Sequence, residues 1–404
     1  MQETLPVLIA GAGPGGLATA VALAQEGVPV IVIEAEPELP IDLRAGSFHP
    51  PTVEMFDELG IGEIMRAKGI KVDKWQMRDR KEGLIAEFDL GLLAEDTPYP
   101  YRLHCEQHKL TPVLRDRLAQ LPNTAFHFST RFISADDNGD RVYVTVEGPD
   151  GPRVIEASYL IGADGARSGV RRQLDVEFEG FTWPERFLVA STEYDLAPHG
   201  YAFNAYIADP TEWCAIFKMP HHGGNGLWRI AFPIGPEISD EQAIDLEFVR
   251  GKLAGFLPEL ADAEIPYRSI YRVHQRVAKT FRVGRLILVG DAAHINNPLG
   301  GMGLNSSVHD AMNLAEKLSA IWHGRTDDAD SLLERYVRQR RQTNIDFVQA
   351  QTIRNKRTLE EQDPEIRRQR QEELRQTAAD PIKARQYLLN SSMIAGLRKA
   401  AETA

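Results

Sequence analysis

Cysteine is nearly absent. Cys105 and Cys214 are the only two in 404 residues, too few for a disulfide scaffold and too far apart for a zinc cluster. A reducing compartment fits that usage. Long apolar runs are missing too: no uninterrupted stretch of about 18 residues occurs, and MQETLPVLIAGAGPGG has no basic leader before an apolar segment. Neither membrane spanning nor export is expected. Positive charge is in deficit, with 46 Lys and Arg against 58 Asp and Glu and a formal charge of -12. That balance argues against broad binding of nucleic acid or of an anionic membrane. The expectation is a soluble, cytoplasmic protein with no nucleic-acid and no membrane partner. Gly (32) and Pro (24) show no repeating period, which sets collagen-like and low-complexity readings aside. What is present, 43% hydrophobic and 26% charged residues, suits a sizeable core in two or three domains.

Three segments carry the chemistry. Val7-Leu8-Ile9-Ala10 reads as a buried strand, Gly11-Ala12-Gly13-Pro14-Gly15-Gly16 follows, and Leu17 to Gln25 favours helix. In this G-x-G-x-x-G turn Gly11 permits the tight bend, Gly13 lets the backbone approach a pyrophosphate, and Gly16 lets the helix pack on the sheet. The loop, including Pro14 and Gly15, then faces phosphate with the helix's free N–H groups. A second buried strand, Val30-Ile31-Val32-Ile33, ends at Glu34, whose carboxylate suits a ribose diol. NAD and FAD satisfy this physics equally.

The second segment is a strand from Tyr159 that ends in Asp164-Gly165 and turns through Arg167-Ser168. It fits phosphate or ribose recognition, or a plain solvent-facing turn. The third is the strand Arg285 to Val289, then Gly290-Asp291 and a loop through Pro298, Gly300, Gly301, Gly303 and Leu304 into a helix near Asn305. Asp291 suits a ribityl hydroxyl, and the amides from Gly300 to Asn305 suit the pyrimidine edge of a flavin. A tight structural turn is the bland alternative.

The order of elements predicts an α/β chain. Segments 1–70, 102–180 and 280–345 form a Rossmann-like FAD-binding domain. Segments 71–101 and 181–279 form an interleaved α+β substrate domain on a mainly antiparallel sheet, and 346–404 is a C-terminal helical region. Aromatic strands nominate Tyr201, Tyr206, Trp213 and Arg229 as pocket residues, with core packing as the alternative for the aromatics. His199, His221 and His222 are read as proton-handling groups or as exposed turns. No histidine has metal-ligand spacing with an acid, so no metal site is expected, and Cys105, beside His104, is read as structural. Tyr387-Leu388-Leu389 and Met393-Ile394-Ala395 give the charged tail an apolar face for the protein itself or for another subunit, which leaves a homodimer open.

Together the three segments resemble the class A FAD-dependent aromatic hydroxylases, the flavoprotein monooxygenases related to para-hydroxybenzoate and salicylate hydroxylases. The matching residues are Gly11, Gly13, Gly16 and Glu34, then Asp164-Gly165 with Arg167 and Ser168, then Gly290-Asp291 with Pro298, Gly300, Gly301 and Gly303. The resemblance implies an extended FAD, with Glu34 at the adenosine ribose and Asp291 near ribitol or pyrophosphate. It also implies Arg44 and Gln107 as cofactor contacts, and Asp164 as a residue serving both FAD and the nicotinamide donor. Pro298, Gly300 and Gly301 would line the side where oxygen chemistry occurs. Asn297-Pro298 departs from the family's frequent pair of prolines. The implied reaction is reduction of FAD by NADH or NADPH, then hydroxylation of a small aromatic substrate by oxygen through a C4a-hydroperoxyflavin. The rivals are an FAD oxidoreductase, epoxidase or Baeyer-Villiger enzyme on a nonaromatic substrate, and a noncatalytic dinucleotide-binding protein that interacts through its charged tail.

Overall fold

The structure, a computed structural model, describes residues 5–41, 46–221 and 226–403. Strand Val7–Ala10 runs parallel to Val30–Ile33 on one side and to Tyr159–Gly162 on the other. Thr124–His127 and Leu286–Leu288 continue this parallel sheet, and Arg282–Val283 closes one edge antiparallel. Its inner strands are apolar on both faces because both faces are covered. Helix Pro14–Gln25, made of small and aliphatic residues, is buried almost throughout and packs against helix Met302–Trp322. It starts at Pro14 and not at Leu17, because the fixed φ of proline suits a first helical position.

A second sheet of eight strands stands beside the first. Its order is His294–Ile295, Tyr267–Ala278, Phe178–Thr192, Leu227–Ile234, Cys214–Met219, Asn204–Ala208, Lys74–Asp79 and Gly83–Asp89. Every neighbouring pair is antiparallel except Asn204–Ala208 with Lys74–Asp79. Both faces of this sheet are buried, in period two. Leu188, Ala190, Ile216, Ile230 and Phe232 meet helix Leu246–Phe256 through Val249, Leu253 and Phe256. The alternate residues Phe187, Val189, Ala215 and Ala231 face the other way.

The expected α/β class and mainly antiparallel second sheet are therefore present. So is the helical C-terminus, where Asp363 and Asp380 cap helices Pro364–Ala379 and Pro381–Ser391 by accepting two backbone N–H bonds each. Tyr387 stacks on Phe88 at 4.6 Å, and Leu388, Leu389 and Ile394 are buried in the same cluster. The tail's apolar stretch docks on its own chain, so it carries no argument for a second subunit. Among the described residues no helix is long and apolar enough to cross a membrane.

Candidate active site

One cavity of about 460 Å³ runs from the glycine loop between the two sheets to the face of the larger one. Gly13, Pro14 and Gly15 wall one part of it, with Ala163, Gly165, Ala166 and Asp291. Gly11 sits at φ 108°, and a Cβ there would overlap the Ala163 carbonyl oxygen, so only glycine lets the two strand ends approach. A Cβ on Gly16 would overlap the Gly11 carbonyl oxygen, whereas one on Gly13 would meet nothing within 4 Å. Gly13 thus faces open space at a helix N-terminus with no side-chain cap. Helix Met302–Trp322 also begins at the cavity without a side-chain cap. Two positive helix ends aimed into one cleft fit an elongated anionic cofactor such as FAD.

The loop between Ile295 and helix Met302–Trp322 is held at almost every backbone group. Asn297 donates its backbone and side-chain N–H to Gln275 Oε1, at 3.1 and 3.0 Å, and accepts from Leu299 N. A proline here would lack that backbone donor, which accounts physically for Asn297-Pro298 in place of two prolines. Asn355 donates to Leu299 O, Gly300 N donates to Tyr206 Oη at 2.9 Å, and Gly301 N donates to Pro298 O. His49 Nε2 donates to Gly300 O at 2.8 Å. Burial above all, with Arg102 nearby, pushes His49 well below the usual histidine range, so a neutral Nε2–H tautomer makes this bond.

These bonds correct the expected donors. The amides of Gly300 and Gly301 are spent on Tyr206 and Pro298, and Gly300 does not line the cavity. Asn305 does not line it either: its amide donates to Ser47 O and Gly301 O and accepts from His49 N, locking the loop from behind. Asn296, Pro298, Leu299, Gly301, Met302, Gly303 and Leu304 line the cavity from this segment. Of the expected amides from Gly300 to Asn305, those of Met302, Gly303 and Leu304 lie in the first turn of the helix, where N–H groups have no intrahelical acceptor.

Other expected positions divide likewise. Gln107 opens helix Gln107–Leu118 and lines the cavity, as do Asp291 and Arg229. Asp164 turns its carboxylate to the amides of Gly169 and Val170, where it stabilises its own turn and does not form part of the wall. Glu34 stands at the edge of the glycine loop, accepting from Ala12 N at 2.8 Å and Glu36 N at 3.0 Å. Three of the expected pocket aromatics do not line the cavity. Tyr201 packs on Phe256, against the sheet's other face. Trp213 lies behind Phe187, edge to face at 5.0 Å, and Tyr206 supports Gly300 from outside the wall. Phe187, Ala215, Phe217, Ala231 and Tyr271 line the cavity instead. Arg44 and His222 lie outside the described residues. His199 bonds Tyr194 and His221 pairs with Glu193, both away from the cavity. Burial pushes the Cys105 thiol up to about 12, consistent with an inert structural residue.

Beneath the loop lies a charged cluster that motif reading missed. Asp310 accepts from Arg340 Nε at 2.7 Å and from Gly290 N at 3.1 Å, and bonds His294 Nε2 at 2.6 Å. All three side chains are fully buried. Burial opposes the Asp310 charge, but His294 and Arg340 outweigh it and hold the carboxyl below its usual range. Arg171 likewise ties the second segment to the third, donating to Ala166 O and Ala292 O at 2.7 Å.

Comparison with known proteins decides the family: the FAD binding domain model matches residues 4–351. The chain belongs to the FAD binding domain family. This family member is 34% identical over 403 residues to the para-nitrophenol 4-monooxygenase of Pseudomonas sp. (strain WBC-3), covering 98% of each chain. It is 34% identical over 364 residues to the 6-hydroxy-3-succinoylpyridine 3-monooxygenase of Pseudomonas putida (strain DSM 28022 / S16), covering 89% of this chain and 90% of the relative. The crystal structure of p-nitrophenol 4-monooxygenase from Pseudomonas putida DLL-E4 superposes with a TM-score of 0.89 at 32% identity, covering 98% and 99% of the two chains. The resemblance drawn from the three segments holds: the protein is an FAD-dependent class A monooxygenase.

Proposed function

We propose that this enzyme hydroxylates a small phenolic or hydroxylated heteroaromatic compound, with NADH or NADPH as the diffusible donor and oxygen as co-substrate. The observation that carries the reading is the continuity of one cavity from the glycine loop to a flat, apolar slot. Ala215 and Ala231 are direct cross-strand partners in the floor of that slot, with Phe187, Phe217 and Tyr271 around them. Two methyl-sized side chains flanked by rings leave room for a planar ligand. The similar Pseudomonas enzymes carry the names of a nitrophenol and a hydroxypyridine, the chemistry such a slot suits.

Bound FAD supplies the electrons and the activated oxygen. The chain's own residues bind and enclose it. Gly13 and the first turn of helix Pro14–Gln25 are assigned to pyrophosphate. Glu34 keeps a second lone pair on each oxygen for a ribose diol, and Gln107 and Asp291 are further contacts. Met302, Gly303 and Leu304 offer backbone N–H groups where negative charge on the flavin needs them. In this reading residues 71–101 and 181–279 form the substrate half, residues 1–70, 102–180 and 280–345 form the FAD half, and the enzyme works in the cytoplasm.

Anaerobic stopped-flow absorption of the loaded enzyme mixed with NADH or NADPH tests the reading across hydroxylated aromatic compounds. Reduction of the flavin accelerated by at least one ring compound is the expected result. Equal rates with and without every compound would contradict it.

A further inference from the structure

The turn that carries Asp291 is fastened along its backbone. Ala293 N donates to Gly290 O at 2.8 Å, Arg171 donates to Ala292 O at 2.7 Å, and Ala293 O accepts from Ala278 N at 2.7 Å. The two ends of the turn meet on one oxygen: Asp310 Oδ2 lies 3.1 Å from Gly290 N and 2.6 Å from His294 Nε2. The other oxygen of Asp310 accepts from Arg340 Nε at 2.7 Å, so the carboxylate cannot swing away without breaking an ion pair. A carboxylate only accepts, and this one is held below its usual range, so Nε2 of His294 carries the hydrogen.

Ala292, Ala293 and His294 are buried, whereas the side chain of Asp291 is exposed and lines the cavity. The fastened turn thus presents one acid. A buried ion pair adds little stability over apolar packing of the same volume, so stability alone does not account for Asp310, His294 and Arg340 beneath it. Asp310 also belongs to helix Met302–Trp322, whose first turn lines the same cavity. Its bonds to Gly290 and His294 therefore fix where Asp291 stands relative to that helix start.

We propose that Asp310 and His294 are positioning residues that together close the turn of residues 290–294 and hold the Asp291 carboxylate where it meets the cofactor. This inference rests on the assignment of Asp291 to FAD. It places a determinant of cofactor affinity beneath the cavity wall, in two buried side chains that act through a third.

The test dilutes the FAD-loaded protein and reads released FAD by its fluorescence, which gives a dissociation constant for each variant without turnover. His294→Leu should weaken FAD binding about tenfold, the loss expected when one hydrogen-bonded contact is misplaced. His294→Gln, whose side-chain amide donates to Asp310 in place of the ring, should stay within about threefold of wild type. Asp291→Ala should itself lose about tenfold, and adding His294→Leu to it should change the constant by less than about twofold, because residues that act through one contact are not additive. A general loss of packing would add in full. His294→Asn, too short to reach Asp310, carries the same expectation as the leucine variant and stands in for it if that chain does not fold. Equal weakening in His294→Gln and His294→Leu overturns the proposal, as does a full effect of His294→Leu in the Asp291→Ala background. Wild-type affinity in Asp291→Ala removes the assignment of Asp291 to FAD, and the proposal with it. Weakened binding in Asp291→Ala beside wild-type affinity in His294→Leu and His294→Asn leaves that assignment in place and overturns the positioning role alone.

Discussion

At the scale of single residues, the glycines of the first turn separate folding from binding. A methyl group on Gly16 would overlap the Gly11 carbonyl oxygen, so Gly16→Ala should destabilise the protein by about 1–3 kcal/mol. Gly13 has open space before it and an ordinary φ of -70°. Gly13→Ala should therefore melt at the wild-type temperature without cofactor yet bind FAD about tenfold more weakly, through lost close approach. Thermal melts and FAD titration of both variants check this, and equal melting temperatures for the two would contradict it. Histidine burial makes a second prediction. The imidazole of His104 falls from 6.5 to about 4 and that of His309 to about 3, chiefly through burial. Below about pH 6.5 the unfolded chain takes up protons on these rings while the folded chain does not, so stability falls with pH from about 6.5 toward 4. For His104 alone the loss reaches about 3 kcal/mol. Urea unfolding at pH 7.5 and pH 5 should show the drop, and His104→Gln should reduce it; a pH-independent difference between the two proteins would oppose this account.

Among the elements, the loop before helix Met302–Trp322 depends on partners from five other segments: His49, Tyr206, Gln275, Asn305 and Asn355. Asp310 and Arg340 hold the helix and strand beneath it. Arg340→Leu leaves the buried Asp310 carboxylate with only His294 and the Gly290 amide and should cost about 3–5 kcal/mol, read as a lower urea midpoint. A midpoint matching wild type would show that the pair adds no net stability. The strands Val7–Ala10 and Val30–Ile33 are legible to the residue, because runs of four apolar residues bounded by polar or glycine positions belong to a sheet covered on both sides, whereas the strand from Tyr159 ends at Gly162, two residues before the expected Asp164. Helix Met302–Trp322 was legible, but its start was placed three residues late, since Gly301 in the left-handed region at φ 66° makes a cap without a capping side chain. The support of the loop is not legible: His49 and Gly300 are 251 residues apart, and Tyr206 and Gly300 are 94 apart.

The whole molecule explains why the strand-end turns are legible in the sequence and the lining of the slot is not. Phosphate and ribose sites sit at strand ends, where glycine and acid positions mark them. The slot lies on the face of a sheet buried on both sides, so alternation along Phe187, Leu188 and Val189 is apolar throughout and does not say which side chain meets the ligand. Ring type alone nominates Tyr201 and Trp213, whereas the side of the sheet and the depth of packing keep both off the cavity wall. The central claim is that the two halves meet in one cavity so that FAD chemistry reaches an aromatic ring. The most direct measurement is mass analysis of products after turnover of the loaded enzyme with NADH or NADPH, labelled oxygen gas and a panel of hydroxylated aromatics. The account predicts a product carrying a single labelled oxygen atom on the ring. Oxidation of the donor that yields only peroxide, with every panel compound recovered unchanged, would contradict it.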